Sequence, residues 1–150
     1  MPTKTYFEND ADVEALVRGF ESCTLRPEAF SHGNHLAVVS YYLVKMTDEE
    51  AMNSMRAGLH KFIDAHGVDR RKYNETITLF WVKVVRNFLE RAGKERTLAD
   101  LLNKLLPIYD DSKLIFEYYS RELINSDEAR VGWVEPDLKP LPGAQASCLQ

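Results

Sequence analysis

The chain has 150 residues, of which 45% are hydrophobic and 28% are charged, a composition typical of one globular domain. Its 19 basic and 23 acidic side chains give a net charge of −4, which disfavours binding to nucleic acid through phosphate neutralisation. The N-terminus lacks the apolar segment of a secretory signal, and no stretch approaches the roughly 18 apolar residues that cross a bilayer. The two cysteines, Cys23 and Cys148, do not suggest a disulfide framework. We therefore predict a soluble cytoplasmic protein, one domain over residues 1–150, that binds neither nucleic acid nor membranes.

Hydrophobic residues recur with helical spacing through most of the chain. The first predicted helix begins near Asn9, a candidate N-cap. The second runs over about residues 27–46, because proline is favoured in a first helical turn. Thr47 and Glu50 have the spacing of a capping box and therefore begin the third helix.

The second half of the chain continues the helical pattern. A fourth helix is predicted over residues 71–92, a fifth over 97–106, where Pro107 ends it, and a sixth over 113–123. The remaining segment is rich in proline and is predicted to be extended. The predicted fold is therefore all-α, a single-domain helical bundle with an extended, proline-rich C-terminal strap over about residues 131–150.

Two histidines, His32 and His35, lie three residues apart on the second helix. A helical wheel places both on one face with Leu36 and Val39, and the opposite side of the helix is also largely apolar. Such a helix is central to its domain, so both imidazoles should point into the interior. A pair of this kind is most often a hydrogen-bonded core network. The alternatives are a metal site and an acid–base site.

The fourth helix begins with an unusual run of polar residues. Asn74 is predicted to face the core two turns before Trp81, with Tyr73 and Glu75 at the edges of the buried face. Polar groups that converge from two facing helices beside large aromatic rings predict a lined pocket. Glu75 is a candidate general base, although an exposed first-turn glutamate is an equally good interpretation. The candidate substrate-binding residues on this helix are Tyr73, Asn74, Thr78 and Trp81.

Four segments carry a resemblance: FSHxxHLA from residue 30, YNETIT from residue 73, YYS from residue 118, and SxxARxxWVxPDL from residue 126. Together they resemble a family of small uncharacterised bacterial proteins, over about residues 20–142. The resemblance implies no assigned reaction. The family's second motif resembles YHETIT, with histidine in place of Asn74, so that its pattern has three inward histidines. Three histidines would form a credible zinc or iron site, whereas two histidines and an amide favour a hydrogen-bonded pocket.

Arg130 and His60 lie outside the second and fourth predicted helices. Arg130 is a candidate clamp for a substrate carboxylate, and an ion pair with Asp137 or Glu135 that ties down the strap is the alternative. His60 lies off the apolar stripe of its helix, beside Arg56, and is interpreted as solvated.

These observations lead to two functional hypotheses. The first is a small-molecule enzyme with a buried polar pocket formed by His32, His35, Asn74 and Thr78. In it the two histidines and Glu75 supply acid–base chemistry, or the two histidines hold iron or zinc weakly. The second is a non-catalytic binding or interaction module in which the histidines form a structural core network.

Overall fold

The computed structural model of the protein describes residues 5–93 and 95–143. Within these ranges the chain forms α-helices and short 3₁₀ turns but no β-strand, which confirms the predicted all-α bundle. No helix in the same ranges has both the length and the apolar character needed to cross a membrane. The helices are α1 (Asp10–Glu21), α2 (His32–Lys45), α3 (Asp48–Ala65), α4 (Glu75–Arg91), α5 (Leu98–Tyr109), α6 (Arg121–Ile124) and α7 (Asp127–Val131).

The helix that carries the histidines, α2, lies at the centre of the bundle. It packs against α1, α3, α4 and α5, and Leu36, Val38 and Val39 are completely buried. Its buried Ser40 satisfies its hydroxyl locally by donating a hydrogen bond to the backbone carbonyl of Leu36 at 2.9 Å. The central position follows from the sequence, because a helix that is apolar on nearly all sides is stable only when other helices cover it.

The predicted second helix over residues 27–46 is wrong at its start. A 3₁₀ turn covers Pro27–Ala29, the chain then breaks, and α2 begins at His32. The break occurs because Ser31 is extended and its hydroxyl accepts a hydrogen bond from the backbone N–H of Asn34 at 3.2 Å. A serine that caps in this way begins a helix. His32 therefore lies in the first turn of α2.

The predicted fourth helix over residues 71–92 also begins too early. Arg70–Lys72 form a 3₁₀ turn, Tyr73 is extended, and α4 begins at Glu75. Asn74 is the N-cap, and its side-chain oxygen accepts a hydrogen bond from the backbone N–H of Ile77 at 2.9 Å. The capping geometry removes Tyr73 and Asn74 from the regular helix on which the wheel had placed them.

The last two predicted helices need correction as well. Pro107 does not end α5, which continues to Tyr109, and the backbone N–H of Asp110 closes the final turn on Leu106. Residues 113–123 do not form one helix. A 3₁₀ segment (Ser112–Glu117) precedes α6 and α7, each of which begins after a serine N-cap. Two short elements, the 3₁₀ segment and the start of α6, replace the one predicted helix, because the Ser120 hydroxyl accepts a hydrogen bond from the backbone N–H of Leu123 and so begins a new helix.

The strap, residues 132–143, follows α7 and contains no helix. It is held by hydrogen bonds to the bundle. Thr76 on α4 donates its hydroxyl to the carbonyl of Gly132 at 2.7 Å and accepts from the N–H of Val134 at 3.2 Å. The Tyr119 hydroxyl donates to the carbonyl of Val134 at 2.6 Å. The remainder of the predicted strap, residues 144–150 with Cys148, lies outside the described residues.

Candidate functional site

His32 is half-buried at the N-terminal end of α2. Its Nε2 lies 3.1 Å from the backbone carbonyl oxygen of Tyr109 at the end of α5, and because a carbonyl only accepts, Nε2 carries the proton. Its ring packs edge to face against Trp81, with 4.4 Å between centroids. Burial lowers the pKa of His32, and the Tyr109 bond and the carboxylates of Asp110 and Asp111 offset only part of that effect. His32 is therefore a neutral, hydrogen-bonded imidazole at neutral pH.

His35 lies one turn further along α2, with its ring centroid 6.5 Å from that of His32 and 5.7 Å from that of Phe30. Its Nε2 is buried and has no hydrogen-bond partner within the described chain. Burial, and secondarily the neighbouring His32, lower the pKa of His35 to about 4. His35 is consequently neutral at physiological pH, and protonation would place an uncompensated charge in the core.

The side chain of Asn74 makes hydrogen bonds to nearby backbone groups. Besides capping α4, its amide group donates to the carbonyl oxygen of Ile124 at 2.8 Å and so joins α6 to the start of α4. The hydroxyl of Thr78 donates to the carbonyl of Asn74 at 3.0 Å. In the described structure no hydrogen bond joins Asn74 to His32 or His35. The predicted substrate-binding amide therefore has a structural explanation.

A metal site at the two histidines would need a third ligand. Among the described residues, no group of three or more histidine, cysteine, aspartate or glutamate side chains is arranged to hold an ion. The carboxylate of Glu75 is not available as a third ligand, because it accepts hydrogen bonds from Arg56 and Tyr73. A structural zinc site normally has four protein ligands and a catalytic one three, so the two histidines alone do not fit iron or zinc.

Glu75 is the centre of a buried ionic cluster and is not an exposed first-turn residue. Nε of Arg56 on α3 donates to both of its oxygens, at 3.0 and 2.9 Å, and Nη2 donates to Oε2 at 2.5 Å. The Tyr73 hydroxyl donates to Oε1, also at 2.5 Å. Burial alone would raise the pKa of Glu75, but the hydrogen bonds from Arg56 and Tyr73 outweigh it and hold that pKa below its usual value. Glu75 is therefore ionised, which suits an anchor better than a general base.

Around this cluster lies a cleft of about 330 Å³ between α3, α4, α7 and the 3₁₀ turn Arg70–Lys72. We call it the arginine cleft, because three guanidinium groups and one carboxylate line it. The His60 ring, from an exposed residue of α3, lies against the Tyr73 ring with 4.2 Å between centroids. The lining residues are Arg56, His60, Arg70, Tyr73, Glu75, Arg130 and Val131.

Two of the three arginines have guanidinium N–H groups that are available to a bound molecule. Arg70 uses Nε and Nη2 on Asp64, at 2.9 and 2.8 Å, and Arg130 uses Nη2 on Asp127 at 3.1 Å. Within the described chain the other guanidinium nitrogens, Nη1 of Arg70 and Nε and Nη1 of Arg130, donate to no protein acceptor. Arg130 does not pair with the strap carboxylates of Asp137 or Glu135, so that alternative is wrong. The structure therefore presents the exposed Arg70 and the half-buried Arg130 at one cleft.

The predicted site residues thus divide between two regions. His32, His35 and Trp81 lie together at the start of α2, whereas Tyr73, Glu75 and Arg130 lie together in the arginine cleft. Sequence reasoning missed Arg56 and Arg70. A signal existed for Arg56, because it and His60 are four residues apart and therefore share one face of α3. Their common face was interpreted as solvated.

Comparison of the chain with protein-family models, with curated protein sequences and with solved structures finds no match. The resemblance to a bacterial family with a three-histidine pattern stays a prediction. The functional argument consequently rests on the geometry and chemistry of the arginine cleft and of the two histidines.

Proposed function

We propose that the protein binds a small organic anion, a carboxylate or phosphate compound, in the arginine cleft. The observation that carries this proposal is the convergence of Arg56, Arg70 and Arg130 from three separate elements on one cleft, where Glu75 is the one carboxylate among the described lining residues. Guanidinium groups are the side chains best suited to carboxylate and phosphate, because their planar N–H groups donate in pairs.

The three arginines have different roles in this proposal. Arg56 is fixed to the ionised Glu75 by three hydrogen bonds and forms the floor of the cleft. Arg70 pairs with Asp64 and Arg130 with Asp127, and the side chains of these aspartates are 44% and 93% exposed. Water and salt screen such surface pairs, so they contribute little net stability. An anion that reaches both arginines can replace these partners at small cost.

The organic part of the ligand has its own contacts. Val131 exposes 71% of its surface at the cleft, and the adjacent His60 and Tyr73 rings supply an aromatic wall. A volume of about 330 Å³ lies at the lower end of the range for small-molecule sites, roughly 300–1,000 Å³. The cleft therefore suits a compact anion with a short apolar portion.

Isothermal titration calorimetry with succinate and with inorganic phosphate as probes tests the proposal. We expect saturable binding of at least one probe, with affinity that falls as salt is added. Because one charge-assisted hydrogen bond contributes about 1.5–3 kcal/mol, Arg70→Gln and Arg130→Gln should each weaken binding by about tenfold or more. The matched control is Arg26→Gln, which removes an exposed arginine that pairs with Glu28 outside the cleft.

Two results would overturn the proposal: no saturable binding of either probe, or equal loss of affinity in the control variant. The difference between the probes identifies the ligand class. Preference for succinate indicates a carboxylate, and preference for phosphate indicates a phosphorylated compound.

The second candidate function is acid–base catalysis by His32 and His35. It is favoured by one observation, the buried Nε2 of His35, for which the described residues supply no hydrogen-bond partner. Catalysis requires a reactant to reach that nitrogen. Diethyl pyrocarbonate, which acylates accessible neutral imidazoles, should modify the exposed His60 rapidly and serves as the internal reference. Modification of His35 at a comparable rate supports the enzyme, and protection of His35 in the folded protein removes it.

A further inference from the structure

Two polar residues at the start of α4 attach the segment that carries Arg130. Asn74 donates its amide to the Ile124 carbonyl oxygen at 2.8 Å, at the end of α6. Thr76 donates its hydroxyl to the Gly132 carbonyl oxygen at 2.7 Å, immediately after α7. The segment that contains α7 is therefore held to α4 on both sides, and Arg130 lies between the two points of attachment.

The position of α7 depends on such attachments, because this helix has only five residues. A helix that short is not stable by itself in water, since its few backbone hydrogen bonds do not offset the cost of forming the first turn. Ala129 is completely buried and packs one side of α7 into the core. Gly132 fixes the C-terminal end, because its N–H donates to the Glu128 carbonyl oxygen at 3.1 Å and its carbonyl accepts from Thr76.

The Thr76 hydroxyl joins the start of the strap to α4 through two hydrogen bonds. Its side chain is completely buried, and the oxygen that donates to Gly132 also accepts from the N–H of Val134 at 3.2 Å. A hydroxyl can do both at once, because it has one proton and two lone pairs. Removing this oxygen takes the partner away from a backbone carbonyl and a backbone N–H together. Docking of the strap next to α7 therefore depends on one side-chain atom.

Arg130 needs this support because its side-chain partner holds it weakly. It pairs with Asp127, whose side chain is 93% exposed, so water and salt screen the interaction. An anion that binds a loosely held arginine must also order the side chain and the backbone that carries it, and this ordering lowers the affinity. The attachment of Gly132 to Thr76 orders that backbone before the anion arrives.

We infer that Thr76 is a positioning residue for Arg130 and couples the strap to the arginine cleft. While the strap is docked on Thr76, Arg130 is held where it binds the anion. Thermodynamic linkage is reciprocal, so a bound anion stabilises the docked strap to the same extent. The inference rests on the function proposed above and identifies docking of the strap as the step that regulates the cleft.

Titration calorimetry of Thr76→Val with succinate and inorganic phosphate tests this coupling. The change keeps the shape of the side chain and removes the hydroxyl, and we expect about fivefold weaker binding, equivalent to the loss of one ordinary hydrogen bond. Thr76→Ser keeps the hydroxyl and should bind about as tightly as the native protein. The matched control is Thr97→Val, which removes a hydroxyl that accepts from the Asp100 N–H in α5, and it should leave the affinity unchanged.

A double-mutant cycle separates the positioning of Arg130 from a general effect on folding. In the Arg130→Gln background, Thr76→Val should weaken binding by less than about twofold, because both changes act through the same guanidinium group. In the Arg70→Gln background, the loss caused by Thr76→Val should persist, because Arg70 belongs to a different element.

Amide hydrogen exchange, followed by NMR, measures the reciprocal effect on the strap. A saturating concentration of the probe that binds should slow exchange of the Val134 amide by at least about threefold, because the docked strap is stabilised. The Asp100 amide also donates to a threonine hydroxyl, that of Thr97, and its exchange should not change. In Arg130→Gln, the probe should not slow exchange at Val134.

Native affinity in folded Thr76→Val, or the same loss of affinity in the Arg130→Gln background, would overturn the inference and leave the proposed function intact. Failure of both probes to bind the native protein would overturn the two together. Circular dichroism checks the folding of each variant. If Thr76→Val does not fold, the exchange measurement on the native protein decides, and an unchanged Val134 rate with saturating probe would overturn the coupling.

Discussion

The histidine pair and the arginine cleft are both polar regions in an apolar bundle, but they satisfy their polar groups in opposite ways. Among residues 5–93 and 95–143, the His32 ring has a backbone carbonyl as partner, and the buried Nε2 of His35 has no hydrogen-bond partner. In the cleft, Arg70 and Arg130 pair with exposed aspartates that an incoming anion can replace. The His32–His35 motif, which resembles a catalytic pair in the sequence, therefore lies in the bundle interior. Arg70 and Arg130, which resemble ordinary surface residues in the sequence, line a cleft.

The difference follows from desolvation. A neutral imidazole can be buried at modest cost, and burial then depresses its pKa and removes its ability to exchange protons near neutral pH. A guanidinium group remains charged in all environments, so it is placed where water or a carboxylate can reach it. The following predictions test this contrast, beginning with the largest expected effect.

The largest effect concerns the pH dependence of stability at His35. Its pKa in the folded protein is about 4, below the value of 6.5 for an unperturbed histidine. The unfolded chain therefore binds the proton more readily, and stability is complete above pH 6.5 and falls as the pH decreases towards 4. The expected loss at His35 is about 3 kcal/mol. Urea unfolding between pH 4 and 7 measures it.

Because carboxylates titrate in the same range, the measurement compares the native protein with His35→Leu. The variant should lose about 3 kcal/mol less over this interval, and at pH 7 it should be at least as stable, since an unsatisfied polar atom is removed. His60→Leu makes the same substitution at an exposed histidine outside the core and serves as the control. If the unfolding free energy of His35→Leu and that of the native protein change equally with pH, the His35 imidazole is hydrated.

The next effect concerns the floor of the cleft. Glu75→Gln leaves Arg56 without its carboxylate, and we expect a loss of about 2 kcal/mol in unfolding free energy. That figure is below the roughly 3–5 kcal/mol for a fully buried pair, because the Arg56 side chain is 37% exposed. Asp64→Asn, which breaks the exposed pair with Arg70, should change stability far less. Similar losses of unfolding free energy in Glu75→Gln and Asp64→Asn would contradict this contrast, in which Glu75 holds Arg56 in place while Asp64 can be replaced at Arg70 by an anion.

A smaller effect on stability is expected at Asn74, where two variants distinguish the hydrogen bond that caps α4 from the one donated to Ile124. Asn74→Asp keeps the oxygen that caps α4 but removes the donor to Ile124, so it should cost about 1 kcal/mol. Asn74→Ala removes both interactions and should cost roughly twice as much. Thermal unfolding of the two variants at pH 7 gives the comparison. Native stability in Asn74→Ala would mean that this residue is retained for a ligand and not for the fold.

The smallest effect on stability is expected at Asp127, whose removal should nevertheless change binding. Asp127→Asn releases Arg130 from its only described acceptor. The melting temperature should stay the same, because the pair is solvent-screened, while affinity for the anionic probe should increase several-fold. Calorimetry with succinate or phosphate measures the change. A decrease in affinity would indicate that Asp127 orients Arg130 for the ligand and does not compete with it.

The sequence alone determined the all-α class, the central position of α2 and the capping box of Thr47 and Glu50, in which both reciprocal hydrogen bonds are present. These features are local or periodic, since helical spacing and caps depend on residues only a few positions apart. The starts of α2 and α4 were not determined. Ser31 and Asn74 could equally lie inside a helix, and only the packed structure shows that their side chains turn back to cap one.

The arginine cleft was decided by tertiary structure. Glu75 and Arg56 are 19 residues apart, and Arg130 comes to the same cleft from α7, at the far end of the chain. Pairing between charges on different helices leaves no periodic signal, because any solvated helix face carries a similar scatter of charged residues. The sequence supplied the arginines. The packing of α3, α4 and α7 determined which of them share a cleft, since helix packing sets the distances over which a guanidinium group can reach a carboxylate.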